Sequence, residues 1–125
     1  MIAVDTSALM AILLNESQAD ECDAALNASD LTVISAGTLT EALIVAGARN
    51  VRDELEDLVE RLNFQIVHVD AAAARRAAAA HARWSRGRDG LNFGDCFAYD
   101  VAKQNRCPLL YVGRDFAKTD IKSVL

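Results

Sequence analysis

The sequence predicts an α/β fold in which a mainly parallel sheet lies between two helical layers, a three-layer α/β/α arrangement. Three observations predict it. Short β-branched or apolar runs alternate with stretches whose apolar residues recur at helical spacing. At 125 residues and 52% hydrophobic, the chain is long enough to bury a real core and too apolar to be disordered. Finally, carboxylates recur just past the ends of expected strands or at helix starts, the edge where open α/β sheets bind ligands.

The elements follow in order. Met1-Ile2-Ala3-Val4 has strand character and ends in Asp5, and Ser7 to Leu14 starts a helix. Residues 17–28 read as a second, amphipathic helix with Ser17 as its cap. Leu31 to Ser35 is a β-branched run bounded by Asp30 and Gly37, hence a strand. Thr38 to Arg49 follows as a helix, with Leu39, Ala42, Leu43 and Ala46 at helical spacing. Asn50 breaks that pattern before a helix from Val51 to Leu62, apolar on one side and acidic on the other. Phe64 to Val69 is a strand, and Asp70 caps an alanine-rich helix from Ala71 to about Ser85, alanine being the best helix former. After the polar loop Arg86 to Gly90, a helix from Gly94 to Asn105 stops before the lone Pro108. Leu109 to Val112 is the last clear strand, and Thr119 to Leu125 forms a tail with room for one short strand more. With no linker or internal repeat, residues 1–125 read as one domain.

Composition excludes several classes. No apolar run approaches the roughly 20 residues that cross a bilayer, and the N-terminus has neither a basic region nor a long apolar one, so a cytoplasmic protein is expected. Cys22, Cys96 and Cys107 form an odd set without a C-x-x-C pair, which argues for small buried thiols over a disulfide or zinc site. The formal charge of −5 speaks against nucleic acid as a partner when taken alone. Its distribution speaks otherwise, because Arg75, Arg76, Arg83, Arg86 and Arg88 fall in a segment without acids.

Asp5, Glu41, Asp95 and Asp115 are the residues around which the chain is organised. Each alone has an ordinary reading: Asp5, Asp95 and Asp115 as helix or turn caps, and Glu41 as the end of a Thr38-x-x-Glu41 capping box. Together all four can converge on the carboxyl edge of one sheet. Left bare, such a cluster would repel itself. A hard divalent cation removes the repulsion, and Mg²⁺ or Mn²⁺ suits oxygen ligands that leave waters free for chemistry on a phosphodiester.

These residues carry a resemblance. Val4-Asp5-Thr6-Ser7-Ala8, Ser35-Ala36-Gly37-Thr38-Leu39-Thr40-Glu41, Leu91-Asn92-Phe93-Gly94-Asp95-Cys96-Phe97 and Gly113-Arg114-Asp115-Phe116 with Thr119-Asp120-Ile121 resemble, in order and spacing, the PIN-domain ribonucleases and, among them, VapC-type toxins of type II toxin–antitoxin pairs. The resemblance runs the whole length. It implies a PIN-like, Rossmann-like fold with Asp5, Glu41, Asp95 and Asp115 as a catalytic and metal-binding quartet. Asp5 and Asp95 would then be direct metal ligands, and Asp115 would orient or complete the shell. It also implies Mg²⁺- or Mn²⁺-dependent cleavage of RNA, a homodimer, and inhibition by a VapB-type antitoxin. The family's residue at the position of Asp100 is more often small or apolar. Asp100 lies about 140° around the helix from Asp95 and reads as surface, while Asp120 is open between support of the site and a turn.

For RNA contacts the best candidates are Arg83, Arg86 and Arg88, which lead toward Asp95. Thr6, Ser7 and Thr38 could bind phosphate or water, and equally could only cap helices. Trp84 could stack on a base but more often such a residue packs. His68 and His81 lack partner motifs, which favours structural or solvated roles. Leu9, Ile12, Leu13 and Leu14, with the helix after Glu41, offer apolar surface for a dimer or antitoxin, although core packing accounts for most of it. Two competing functions are a catalytically silent PIN scaffold and a phosphoryl-accepting receiver domain. The receiver wants an acidic pair after its first strand, and here Thr6 stands beside Asp5.

Overall fold

A computed structural model describes residues 1–125. In chain order the elements are β1 (Ile2–Val4), α1 (Thr6–Leu13), α2 (Ala19–Ala28), β2 (Thr32–Ser35), α3 (Ala36–Ala48), α4 (Arg52–Arg61), β3 (Gln65–Val67), α5 (Ala71–Trp84), α6 (Phe93–Gln104) and β4 (Leu109–Leu110). The four strands form one sheet in the order β3-β2-β1-β4, and every pairing is parallel. The tail joins weakly, through a parallel bridge of Leu109 with Ser123.

Side-chain alternation along the strands sorts the core into two layers. Ile2, Val4, Ile34 and Leu110 pack with Leu9, Met10, Leu26, Leu55 and Leu58 on one face. Ala3, Val33 and Leu109 pack with Ala77, Ala80, Val101 and Phe116 on the other. A parallel sheet needs both faces covered, and these two clusters cover them. Because the strands run the same way, the residues after β1, β2 and β4 emerge at one edge. The sequence order reverses between β1 and β4, which in such sheets opens a crevice.

Asparagine ends several helices. Asn15, Asn50 and Asn63 have φ of 52°, 61° and 50°, and Arg106 has 51°. At each the chain turns left-handed and the next amide reaches back five residues, as in Val51 N–H to Ala46 O at 2.9 Å and Phe64 N–H to Val59 O at 3.1 Å. Short polar asparagine tolerates that conformation best after glycine.

The boundaries differ from expectation where a nearer cap wins. Helix α3 begins at Ala36, not Thr38, because the Ser35 hydroxyl accepts from Gly37 N–H. The capping box of Thr38 with Glu41 is therefore not made, and Glu41 stands a full turn inside the helix. Helix α2 starts at Ala19 after Gln18, with no side-chain cap from Ser17. Strand β3 is shorter than its apolar run and lies at the sheet edge, with Ile66 and Val69 left exposed.

Asp100 is the other correction. It is buried rather than on the surface, and accepts from Arg76 Nε at 2.8 Å and Nη2 at 3.2 Å. This fork ties α5 to α6. A chain of bonds further along the same helices runs from Trp84 Nε1 to the Tyr99 hydroxyl (3.1 Å) and from Tyr99 to Asp120 (2.6 Å), with Lys103 also on Asp120 (3.0 Å). Trp84 is thus a packing residue, and Asp120 fastens the tail to α6. Cys22 and Cys96 are buried thiols and Cys107 is half-buried.

Candidate active site: four carboxylates at the carboxyl edge of the sheet

Asp5 leaves β1 with its amide still bonded to Leu110 O (3.0 Å) and becomes the N-cap of α1. Its Oδ2 accepts from Ser7 N–H (3.1 Å) and from the Ser7 hydroxyl (2.7 Å). The same hydroxyl accepts from Val112 N–H (3.0 Å), which locks Asp5 to the exit of β4. Asp5 Oδ1 is buried and has no partner, and neither has the Thr38 hydroxyl. Burial, with a smaller contribution from Glu41, lifts the Asp5 carboxyl to about 6 against the pull of the Ser7 bonds.

Asp95 sits in the first turn of α6 inside a capping box. Its amide donates to Asn92 Oδ1 (2.9 Å) and its Oδ2 accepts from Asn92 N–H (3.0 Å). Only 4% of it is exposed. Desolvation first, then the charges of Asp5, Asp115 and Glu41, raise its carboxyl to about 7, while the Asn92 bond works in the other direction. The charge of Glu41 thus bears on both Asp5 and Asp95, and that of Asp115 on Asp95.

Glu41 reaches these acids from α3, and its approach depends on Gly94. A Cβ at Gly94 would stand 2.6 Å from Glu41 Cδ and overlap the carboxylate itself. Asp115 is exposed, on a turn that Gly113 opens with φ of 97°. The next residue anchors it: Phe116 is buried at 2% exposure, its ring 5.0 Å from Tyr111.

The ordinary and the functional readings of the acids therefore hold together. Asp5 and Asp95 each spend one oxygen on a cap and keep the other free, while Glu41 and Asp115 make no hydrogen bond. No three of these side chains are drawn up as a ready-made ligand set. Bare carboxylates held by caps on separate elements stand apart, as repulsion requires. Hard oxygen donors, an orphaned buried Oδ1 and a glycine that makes room for Glu41 fit a divalent cation.

Other candidates are placed as follows. Thr6 donates to Thr38 O at 3.3 Å, so Thr6 and Ser7 both have their hydroxyls engaged within the fold. Arg83, Arg86 and Arg88 are exposed, and the Arg83 guanidinium lies 4.6 Å from the centre of the Trp84 ring. His68 and His81 are exposed. Sequence reasoning passed over Arg114 and Lys118. Arg114 Nε lies 3.5 Å from Asp89 Oδ2, and Lys118 Nζ lies 3.9 Å from where a Gly87 Cβ would be. Their only signal was position, on either side of Asp115.

The raised carboxyls fix a pH dependence. Asp5 and Asp95 stay protonated in the fold at pH values where the unfolded chain, near 3.8, has already ionised. The folded state then binds more protons, so stability falls as pH rises from about 4 to about 7 and levels off above. In metal-free buffer the Tm is expected to drop across that window by an amount worth a few kcal/mol. A flat profile would mean the two acids are not buried together.

Comparison with known proteins agrees with this architecture. The family model described as "PIN domain" matches residues 2–122. The chain is 38% identical over 128 residues to Ribonuclease VapC30 of Mycobacterium tuberculosis, covering 98% of each. To Ribonuclease VapC of Mycolicibacterium smegmatis it is 37% identical, covering 98% of this chain and 99% of the other. Among solved structures, the sarcin-ricin loop cleaving toxin VapC20 of M. tuberculosis superposes with a TM-score of 0.83 at 16% identity, covering 99% of this chain and 98% of that one. A toxin–antitoxin complex from Klebsiella pneumoniae gives a TM-score of 0.72 at 21% identity, covering 96% and 93%. At those identities the structures speak for the fold, and the sequence matches speak for the family. By the sequence matches, this chain belongs to the PIN-domain family, in its group of VapC ribonucleases.

Proposed function

We propose that this protein, a single PIN domain over residues 1–125, is an endoribonuclease and the toxic half of a type II toxin–antitoxin module. It hydrolyses RNA phosphodiester bonds with Mg²⁺ or Mn²⁺ held by Asp5, Glu41, Asp95 and Asp115. One observation carries the reading: burial at the start of α6 and the charges of Asp5, Asp115 and Glu41 hold the Asp95 carboxyl well above its ordinary range, a placement that costs stability unless a cation offsets it. Near-full-length identity to proteins named as ribonucleases supports it. The reading further includes a homodimer, a VapB-type antitoxin as inhibitor, and the cytoplasm as the place of action.

When bound, the cation supplies Lewis acidity, strengthening water as a nucleophile and offsetting charge on the phosphodiester. The protein supplies position. Ser7 holds one oxygen of Asp5 and the Asn92 amide one oxygen of Asp95, which leaves the second oxygen of each without a protein partner. Asp115, on the solvent side, orients the attacking water and takes its proton. Water adds to phosphorus, the bond to the leaving ribose oxygen breaks, and that oxygen takes a proton from solvent to leave as a hydroxyl. Arg83, Arg86 and Arg88 contact flanking phosphates, while Ser7 serves the RNA site by bracing Asp5 and Thr6 by tying the start of α1 to α3.

RNA cleavage by the purified protein in Mn²⁺, set against the same reaction with a chelator, tests this. Cleavage is expected only with the cation and is expected to vanish in Asp5→Ala. Equal cleavage in chelator would refute the metal-dependent reading, and none under either condition would leave a silent scaffold.

A further inference from the structure

Phe93 is 78% exposed, the most exposed large apolar side chain of the molecule. It opens α6 two residues before Asp95, where capping is already complete through Asn92 and has no use for an aromatic. Exposure alone would be unremarked; its mounting is what distinguishes it. The Phe93 ring meets Phe97 edge to face, with centroids 5.2 Å apart and planes at 89°. Phe97 in turn packs against α3 at Gly37, where a Cβ would stand 2.6 Å from its ring. The exposed ring is therefore propped by a second ring on a glycine.

This ridge separates two clefts. One, of about 220 Å³, is lined by Phe93, Phe97, Ile44 and Gly94 and ends at Glu41. The other, of about 490 Å³, is apolar and lies against Ala74, Ala78 and Val69. The loop bearing Arg86 and Arg88 meets the turn that bears Arg114, Asp115 and Lys118. The apolar ring thus borders the cleft that Glu41 lines, and the cations border the turn that carries Asp115.

We propose that Phe93 is a stacking platform for an unpaired nucleobase beside the cleaved phosphodiester, with Arg86, Arg88, Arg114 and Lys118 carrying the phosphates. The proposal rests on the nuclease reading and adds its substrate class: RNA whose base at that step is free to leave its own stack. A polymer that alternates flat apolar bases with anionic phosphates matches ring and cations at once. A protein partner would match the ridge but would have no use for the cations. A paired helix has both faces of each base covered and cannot offer one to Phe93.

The test uses one RNA oligonucleotide, single-stranded or annealed to its complement, with the wild type and Phe93→Ala, Phe93→Leu and Phe93→Trp. Loss of one stacked base predicts a KM roughly 5- to 100-fold higher for Ala and Leu. Little change is expected in kcat, recovery in Trp, and no cutting of the duplex. Leucine keeps the apolar bulk without the ring, so wild-type cleavage by Phe93→Leu overturns the platform. So does unchanged cleavage in Phe93→Ala accompanied by a dimer falling apart in sedimentation, which would make the ridge a protein interface. Binding of the same oligonucleotide, read by anisotropy, separates the two levels of the argument. RNA bound in a Phe93-dependent way but never cut overturns the nuclease reading and keeps the platform.

Discussion

Asp95→Asn is expected to lower RNA cleavage by roughly a hundred- to a thousandfold while raising the melting temperature of the metal-free protein at pH 8. The two effects have one cause. At that pH the Asp95 carboxyl, lifted to about 7, has been forced to ionise in a buried place that feels the charges of three other acids. Asparagine keeps an oxygen for the Asn92 amide, so the capping box survives, and it removes the charge that makes the pocket costly. At pH 5, where wild-type Asp95 is protonated, the difference in Tm should close. Calorimetry at the two pH values, run beside the cleavage assay, checks both halves. A variant that melts lower at pH 8 would mean Asp95 is a structural cap and nothing more.

Gly94→Ala is expected to separate activity from stability in a different way. The added methyl would occupy the space of the Glu41 carboxylate. That carboxylate ends a flexible side chain free of hydrogen bonds, so it can swing away at little cost. Alanine is also the better helix residue, by up to about 1 kcal/mol. Folding should hold or improve, while displacement of Glu41 by an ångström or more should cost roughly a hundredfold in kcat. Wild-type cleavage in this variant would remove Glu41 from the site.

What was legible in the sequence was local. Asp5 after a strand, Asp70 before the alanine helix and the reversal of apolar period from two to 3.6 are all read within a few residues. What was not legible depended on partners far along the chain. Asp100 looks solvated on its own helix and is buried because Arg76, twenty-four residues earlier, meets it across the packing of α5 on α6. Asp120 was ambiguous until Tyr99 and Lys103 claimed it. The Thr38–Glu41 box failed for a local reason of another kind: Ser35, the last residue of β2, capped α3 first and shifted its start by two residues. That shift frees Glu41 for the pocket. The prop of Gly37, Phe97 and Phe93 joins two helices and has no local signature.

The whole account turns on whether these acids share one cation. Titrating Mn²⁺ into the wild type and into Asp95→Asn by isothermal calorimetry at pH 6 measures that without reference to any RNA. Saturable binding that releases protons in the wild type, and is lost or sharply weakened in the variant, is the predicted result. Equal binding by both proteins, or none by the wild type, would contradict a shared ion at Asp95.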